Sequence, residues 1–346
     1  MNLGRRQRGV ALIIALILVA LAALLATKLT FDGWLERRRT ITVMAAEQAL
    51  YFAYGAEALA ADVLTQSGSA STQVTLDQPW AQPSQPLPLT PQDDPEAEPF
   101  GTLQGALEDM QGRFNLNNLG HKITPNGGNA AAPGISGVEV SGAIPDPQPL
   151  EQFQRLLVSV GLDPKWAGMA RDWIDADDIP NSPDGAEDAV YTSQTPPYRT
   201  GNWPMTSPTE LMNLPGFGAD RYRLIAPYVT ALPRADVPVN ICTAPALVLE
   251  SLAKGLNGEW SGNPQLLVTE RKRGCFPDPQ TFARIAAQAD PKAVLTGRYG
   301  ETSQYFRLTT RVTLGTAEFT LYSLLSLGGA GGGGKVTPLL RTFGTL

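Results

Sequence analysis

One histidine, His121, serves the whole 346-residue chain. A Ser–His–Asp or Cys–His set would have to be built on it. It stands beside a Gly/Ala/Pro-rich stretch without periodicity, where it reads as an exposed loop residue. HExxH, CxxC and P-loop strings are missing as well. Chemistry would fall to carboxylates alone, as in glycoside hydrolysis, and no base or nucleophile stands beside them in sequence. The chain therefore reads as a non-enzyme. Positive charge is also in short supply. The formal net charge is −6 and the pI about 5.0, which disfavours a nucleic-acid partner.

Proline is plentiful, at 29 residues, yet none falls between Val10 and Gln66. Eighteen uncharged residues, Val10–Thr27, nearly all Ala, Leu, Ile or Val, open this segment. That is the short end of what spans a hydrocarbon core. Arg5, Arg6 and Arg8 precede it, and Gly9 marks the junction. A cleaved secretory signal and a retained membrane helix both fit these residues. Retention is favoured because apolar positions from Phe31 to Val63 go on recurring at three- and four-residue steps. The spacing predicts one helix over 10–66, apolar all round at first and amphipathic after.

A basic leader (1–9) ending in Gly9, then an apolar helix beginning at Val10, resembles a prepilin peptidase site in type IV pilin-like subunits. Cleavage after Gly9 would make Val10 the mature N-terminus. Such subunits usually carry Glu at the fifth mature position, and here that position is Ile14. The departure resembles the GspK family of minor pseudopilins in type II secretion, which lacks that Glu. Two further strings are similar to that family: GRFNLNNL (Gly112–Leu119) and VNICTAPALVLESL (Val239–Leu252).

Beyond the helix, residues 67–99 hold seven prolines from Pro79 to Pro99. Such a run propagates neither a helix nor a central strand, so an extended linker is expected. Alternation over 100–119 predicts short strands, with the asparagines Asn115, Asn117 and Asn118 in tight turns. Residues 120–149 read as a flexible linker. Helical periodicity covers 150–290, and strand alternation returns over 299–327 with a turn at Gly315. The remainder, 328–346, reads as a Gly-rich, loose tail. The expected fold is α+β: a pilin-like long helix and small antiparallel sheet, with a large all-α domain inserted between the two β segments.

Two features of the insert concern ligands. RDWIDADDIPNSPDGAED puts Asp172, Asp175, Asp177, Asp178, Asp184, Glu187 and Asp188 together, with no Lys or Arg inside the cluster. Such groups repel, and an oxygen-preferring cation relieves this; a solvated turn with capping Asp residues is the alternative. EF-hand spacing is missing. The resemblance implies a structural Ca²⁺ at some of Asp172, Asp175, Asp177, Glu187 and Asp188. LMNLPGFGADRYRLI (Leu211–Ile225) resembles a helix-hairpin-helix. Packing of two helices is its ordinary use. DNA binding by a membrane-anchored extracytoplasmic receptor is the rival, weakened because Asp220 and Glu210 roughly cancel Arg221 and Arg223.

The charge bias across the apolar helix is weak, so the positive-inside rule does not orient it. The prepilin-like start implies a single pass in a bacterial inner membrane with the bulk of the chain in the periplasm. There Cys242 and Cys275, the only cysteines, form a disulfide candidate; two buried free thiols are the other possibility. The resemblance further implies a subunit at the pseudopilus tip, with I- and J-type minor pseudopilins, the major pseudopilin and the prepilin peptidase as partners.

Overall fold

The computed structural model describes residues 7–346 except 71–72, 83, 92, 95, 124–143, 182, 254–263, 272–273, 278, 288–296, 316, 329–334 and 345–346. Helix α1 runs unbroken over Gln7–Ala70, a few residues beyond the expected 10–66 at each end. At about 1.5 Å per residue it is roughly 95 Å long. Its uncharged opening, from Val10, is exposed on every side. Its later half buries Ala49, Ala53, Ala56, Ala60 and Leu64. These fall at three- and four-residue steps on one face, and the small alanines let the helix lie close on a sheet.

That sheet has five antiparallel strands, in the order Leu87–Leu89 (β1), Gly101–Asp109 (β2), Tyr305–Leu314 (β9), Ala317–Leu327 (β10) and Val336–Phe343 (β11). Three short strands follow β2 in the chain, β3 (Phe114–Asn115), β4 (Lys122–Ile123) and β5 (Ile144–Pro145). Next come helices α2 (Pro147–Ser159), α3 (Trp166–Ile174), α4 (Asp188–Tyr191) and α5 (Gly218–Ile225). Short strands β6 (Val229–Thr230) and β7 (Val239–Asn240) lead to α6 (Ala246–Ser251), α7 (Pro264–Glu270) and α8 (Pro279–Ala287). Strands β8 (Tyr299–Gly300), β9 (Tyr305–Leu314), β10 (Ala317–Leu327) and β11 (Val336–Phe343) close the chain. The helical domain is thus inserted between β2 and β9, which pair directly in register, Leu103 opposite Val312. Gly315, at φ 58°, supplies the left-handed turn between β9 and β10.

The structure corrects three expectations. The proline-rich segment 67–99 is not only a linker: Trp80 is buried and meets Phe306 edge-on at 5.3 Å, and β1 pairs with β2. Burial of one indole and an edge strand outweighs the proline content. The segment 328–346 is not a loose tail throughout, because Val336–Phe343 pairs with β10; the glycine tract lies outside the described residues except for Gly328. Asn115, Asn117 and Asn118 do lie at a tight turn, the 3-10 helix Leu116–Gly120 capped by Asn115, and they are buried there. Their amides donate to the carbonyls of Arg234, Leu232 and Val237, respectively, so GRFNLNNL is an internal splice for the insert. His121 is buried too, its Nδ1 3.0 Å from Asp146 Oδ2. Its partner lies 25 residues ahead, beyond the reach of local pattern.

The insert has its own core. Phe114 stacks on Phe153 at 5.2 Å, and Leu156, Leu157, Phe217, Val248 and Phe282 fill the space around them. The hairpin-like segment is less regular than its sequence. Its first limb, Pro208–Asn213, is a 3-10 helix capped by Ser207 and Glu210, and only α5 is α-helical. Gly216 and Gly218, at φ 84° and 69°, carry the turn.

Candidate functional site

The acidic loop leaves the C-terminal end of α3. Asp172 lies in the last turn of that helix, fully buried, and accepts from the backbone N–H of Asn181 at 3.2 Å and of Ala186 at 2.6 Å. The amide of Asn181 donates to Asp172 and, at 3.1 Å, to Asp175 Oδ2. These bonds wrap residues 175–186 around one carboxylate. The wrap demands glycine at 185, where a Cβ would stand 2.3 Å from Asn181 N and 2.4 Å from Asp172 Oδ2.

Wrapping brings three of the five expected ligands together. Carboxylate oxygens of Asp172, Asp175 and Glu187 all lie within 4.8 Å of one another. Asp175 Oδ1 and both carboxylate oxygens of Glu187 are buried without a hydrogen-bond partner. Buried polar atoms are ordinarily satisfied, and three orphaned acceptors at one point fit an oxygen-binding cation. The electrostatics agree. Burial, reinforced by the charges of Asp177 and Asp172, pushes the Asp175 carboxyl up to about 7. Burial, then Asp172 and Asp175, pushes Glu187 up to about 8. A divalent cation would reverse both shifts.

The other two expected ligands stand apart. Asp177 is exposed, with Oδ1 accepting from Ile179 N at 3.1 Å. Asp188 accepts from Thr200 N at 3.1 Å and pairs with Arg199. Spacing in sequence gave no way to separate them, because the loop's fold, not its composition, decides which carboxylates converge.

Cys242 and Cys275 are disulfide-bonded, with Cα atoms 4.4 Å apart, and tie the start of α6 to the loop before α8. Gly9 and Val10 both lie inside α1, with Ile14 one turn further on and exposed.

A long N-terminal apolar helix, laid on a small antiparallel sheet that is interrupted by a helical domain, defines a minor pseudopilin of type II secretion. Residues 112–234 match the family model described as type II secretion system (T2SS), protein K. The chain is 31% identical to type II secretion system protein K of Pseudomonas aeruginosa over 98% of its own length and 94% of that protein. It is 31% identical to the Klebsiella pneumoniae protein of the same name, over 99% and 96%. The Aeromonas hydrophila protein is 36% identical over 69% and 68%. The chain belongs to the type II secretion system protein K family. Its fold resembles a chain in the crystal structure of the GspK-GspI-GspJ complex from enterotoxigenic Escherichia coli, at TM-score 0.70 and 24% identity, covering 89% of this chain. These relatives give the DNA-receptor reading no support.

Proposed function

We propose that this subunit caps the pseudopilus tip, working as a structural component without a reaction of its own. In this reading a prepilin peptidase cleaves after Gly9, α1 anchors the protein in the inner membrane, and the sheet and insert stand in the periplasm. I- and J-type minor pseudopilins are its direct partners, with the major pseudopilin below. The observation that carries the reading is Ile14, on an exposed face of α1. In a bundle of such helices the mature N-terminal amine is a charge held in lipid, and a neighbour's Glu compensates it. An uncompensated charge there is costly. A subunit with Ile14 offers nothing to another ahead of it, so it fits where none precedes. The helical insert adds bulk that obstructs further addition.

The same reading includes a structural Ca²⁺ held by Asp172, Asp175 and Glu187. Three orphaned buried oxygens support it. The experiment for tip placement is Ile14→Glu, followed by cross-linking to the I-type, J-type and major subunits in membranes. Continued tip-only placement would assign the position to the insert and not to the missing carboxylate. Mass spectrometry of the membrane form tests processing: a methylated Val10 N-terminus is expected, and a start downstream of Ala22 would overturn the reading.

A further inference from the structure

The acidic loop meets a second loop, Thr192–Pro204, whose construction the metal site does not explain. Asn202 is the one non-glycine residue among those described with positive φ, at 45°. That conformation carries a cost for any residue with a side chain, though asparagine tolerates it better than most. Its amide donates to Asp178 Oδ1 at 3.2 Å, joining the two loops. The flanks are pinned as well. Gly201 lies so close on Trp173 that a Cβ would stand 3.2 Å from the indole Nε1. Trp173 Nε1 is itself fixed to Glu210 at 3.1 Å. On the other side Met205 is buried, and its N–H donates to Asn117 at 2.8 Å. Thr200 is held by Asp188.

This scaffold holds outward what a soluble protein ordinarily hides. Trp203, next to the strained residue, is 62% exposed, and Ile179, next to Asp178, is 74% exposed. Beside Ile179 in the same loop, Asp177 and Asp178 are exposed carboxylates distinct from the three that converge on the cation position. Arg199, the cation of this loop, is already paired with Asp188. The surface is therefore two large apolar side chains on a rigid mount within a negative rim. Tryptophan is the side chain most often found as an interface anchor, and a charged rim selects its partner by sign.

We propose that the face formed by Trp203 and Ile179, rimmed by Asp177 and Asp178, docks a protein segment that presents an aliphatic or aromatic side chain flanked by lysine or arginine. The apolar pair supplies the anchor, and the rim rejects acidic segments. Because Asp178 belongs to the loop that wraps Asp172, filling the cation position stiffens the same mount. Docking is thereby coupled to calcium. This coupling, but not the docking itself, rests on the cation assigned above.

The test uses the full chain in neutral detergent with calcium and the pentapeptide Lys-Leu-Lys-Phe-Lys. The controls are Glu-Leu-Glu-Phe-Glu and Lys-Ser-Lys-Ser-Lys, each blanked against detergent alone. Binding is read by calorimetry and by tryptophan fluorescence. The Lys-Leu peptide is expected to bind, and both controls to bind at least tenfold more weakly. Trp203→Ala should weaken the Lys-Leu peptide tenfold or more, and Trp203→Phe should restore most of it. Asp177→Asn should weaken it at least twofold and reduce its salt dependence. Unchanged melting temperature and calcium response in Trp203→Ala exclude misfolding. No binding of the Lys-Leu peptide, equal binding to Trp203→Ala, or equal binding of the Lys-Ser peptide would each overturn the proposal. Binding that survives chelator would overturn only the coupling, leaving docking intact. Tip placement is read separately by the Ile14→Glu cross-links.

Discussion

The side-chain amide of Asn240 donates to Asp109 Oδ2 at 2.9 Å. Asp109 ends β2, and Asn240 belongs to the insert, so this bond crosses the junction between the sheet and the helical domain. Thr243 Oγ1 and Ser303 Oγ donate to the same oxygen, each at 2.6 Å. Asn240 also reaches the carbonyl of Val74, beyond α1, at 3.0 Å. One buried carboxylate therefore gathers the segment after the long helix, the sheet, and both ends of the insert. Burial pushes the Asp109 carboxyl up, against the pull of its four donors.

Removing that carboxylate leaves several buried donors without an acceptor. Asp109→Ala is expected to cost about 3 kcal/mol, and Asp109→Asn to cost nearly as much because its amide would face those donors. Thermal unfolding of the full chain measures the loss. Hydrogen exchange should quicken first at 239–243 and 302–305, while the β9–β10 ladder stays protected. Uniform loosening of the whole sheet would contradict the junction role.

The disulfide closes 33 residues of chain. In the loop-entropy picture its removal costs about 3 to 4 kcal/mol. The Cys242→Ser, Cys275→Ser double variant should therefore melt well below the parent, and reductant should shift the parent but not the variant. The damage should center on α6–α8, where Phe276 and Phe282 sit 5.2 Å apart behind the bridge. An unchanged melting temperature would show that the local core alone closes this loop.

The long helix, the inserted order of elements and the β9–β10 hairpin were legible because their signals are local. Alanine spacing along α1 and alternation from Phe306 to Leu325 state the face each residue takes. What the sequence hid was long-range. Trp80 looked like part of a proline linker, since nothing nearby announces Phe306 as its neighbour. His121 looked exposed because its partner Asp146, and Arg298 that pairs with Asp146, lie far along the chain. The acidic cluster was plain, but the selection of Asp172, Asp175 and Glu187 needed Asn181 and Gly185 to fold the loop inward. Strand β11 was masked by the glycines before it and by the distance to its anchor on α1.

That anchor gives a further test. Arg341 on β11 binds Glu57 through two bonds, Nε to Oε2 at 2.9 Å and Nη2 to Oε1 at 2.6 Å. Ser323 donates to the same carboxylate at 2.8 Å, and the guanidinium lies 5.0 Å from the Tyr54 ring. Glu57 is buried but Arg341 is exposed, which discounts the pair relative to a fully buried one. Arg341→Ala is expected to cost about 1 to 2 kcal/mol, and to expose the amides of Val336–Phe343 to exchange well before those of β9. Arg341→Lys should recover only part, since a lysine cannot make the two-pronged contact. Equal exchange in β11 of parent and variant would show that backbone pairing alone holds the last strand.

The acidic loop carries the pH prediction. Asp175 and Glu187 have folded-state values raised to about 7 and about 8, above the roughly 4 of an unfolded carboxylate. The folded, metal-free protein therefore binds more protons than the unfolded chain between those limits. Its stability is greatest below about pH 4 from these groups alone, and is lost as pH rises through 7 and 8. The metal-free melting temperature should fall between pH 5 and 8.5. Calcium must displace those protons, so its affinity should strengthen over the same range, with proton release on binding. At one hundred times the dissociation constant it adds about 2.7 kcal/mol, roughly 4 °C for a chain of 346 residues. Glu187→Gln removes a buried carboxyl that must take up a proton on folding at neutral pH, and glutamine has no such cost. That variant should be more stable than the parent without metal at neutral pH, and should lose most of the calcium response. A Glu187→Gln protein that still gains the full shift with calcium would place the ion elsewhere.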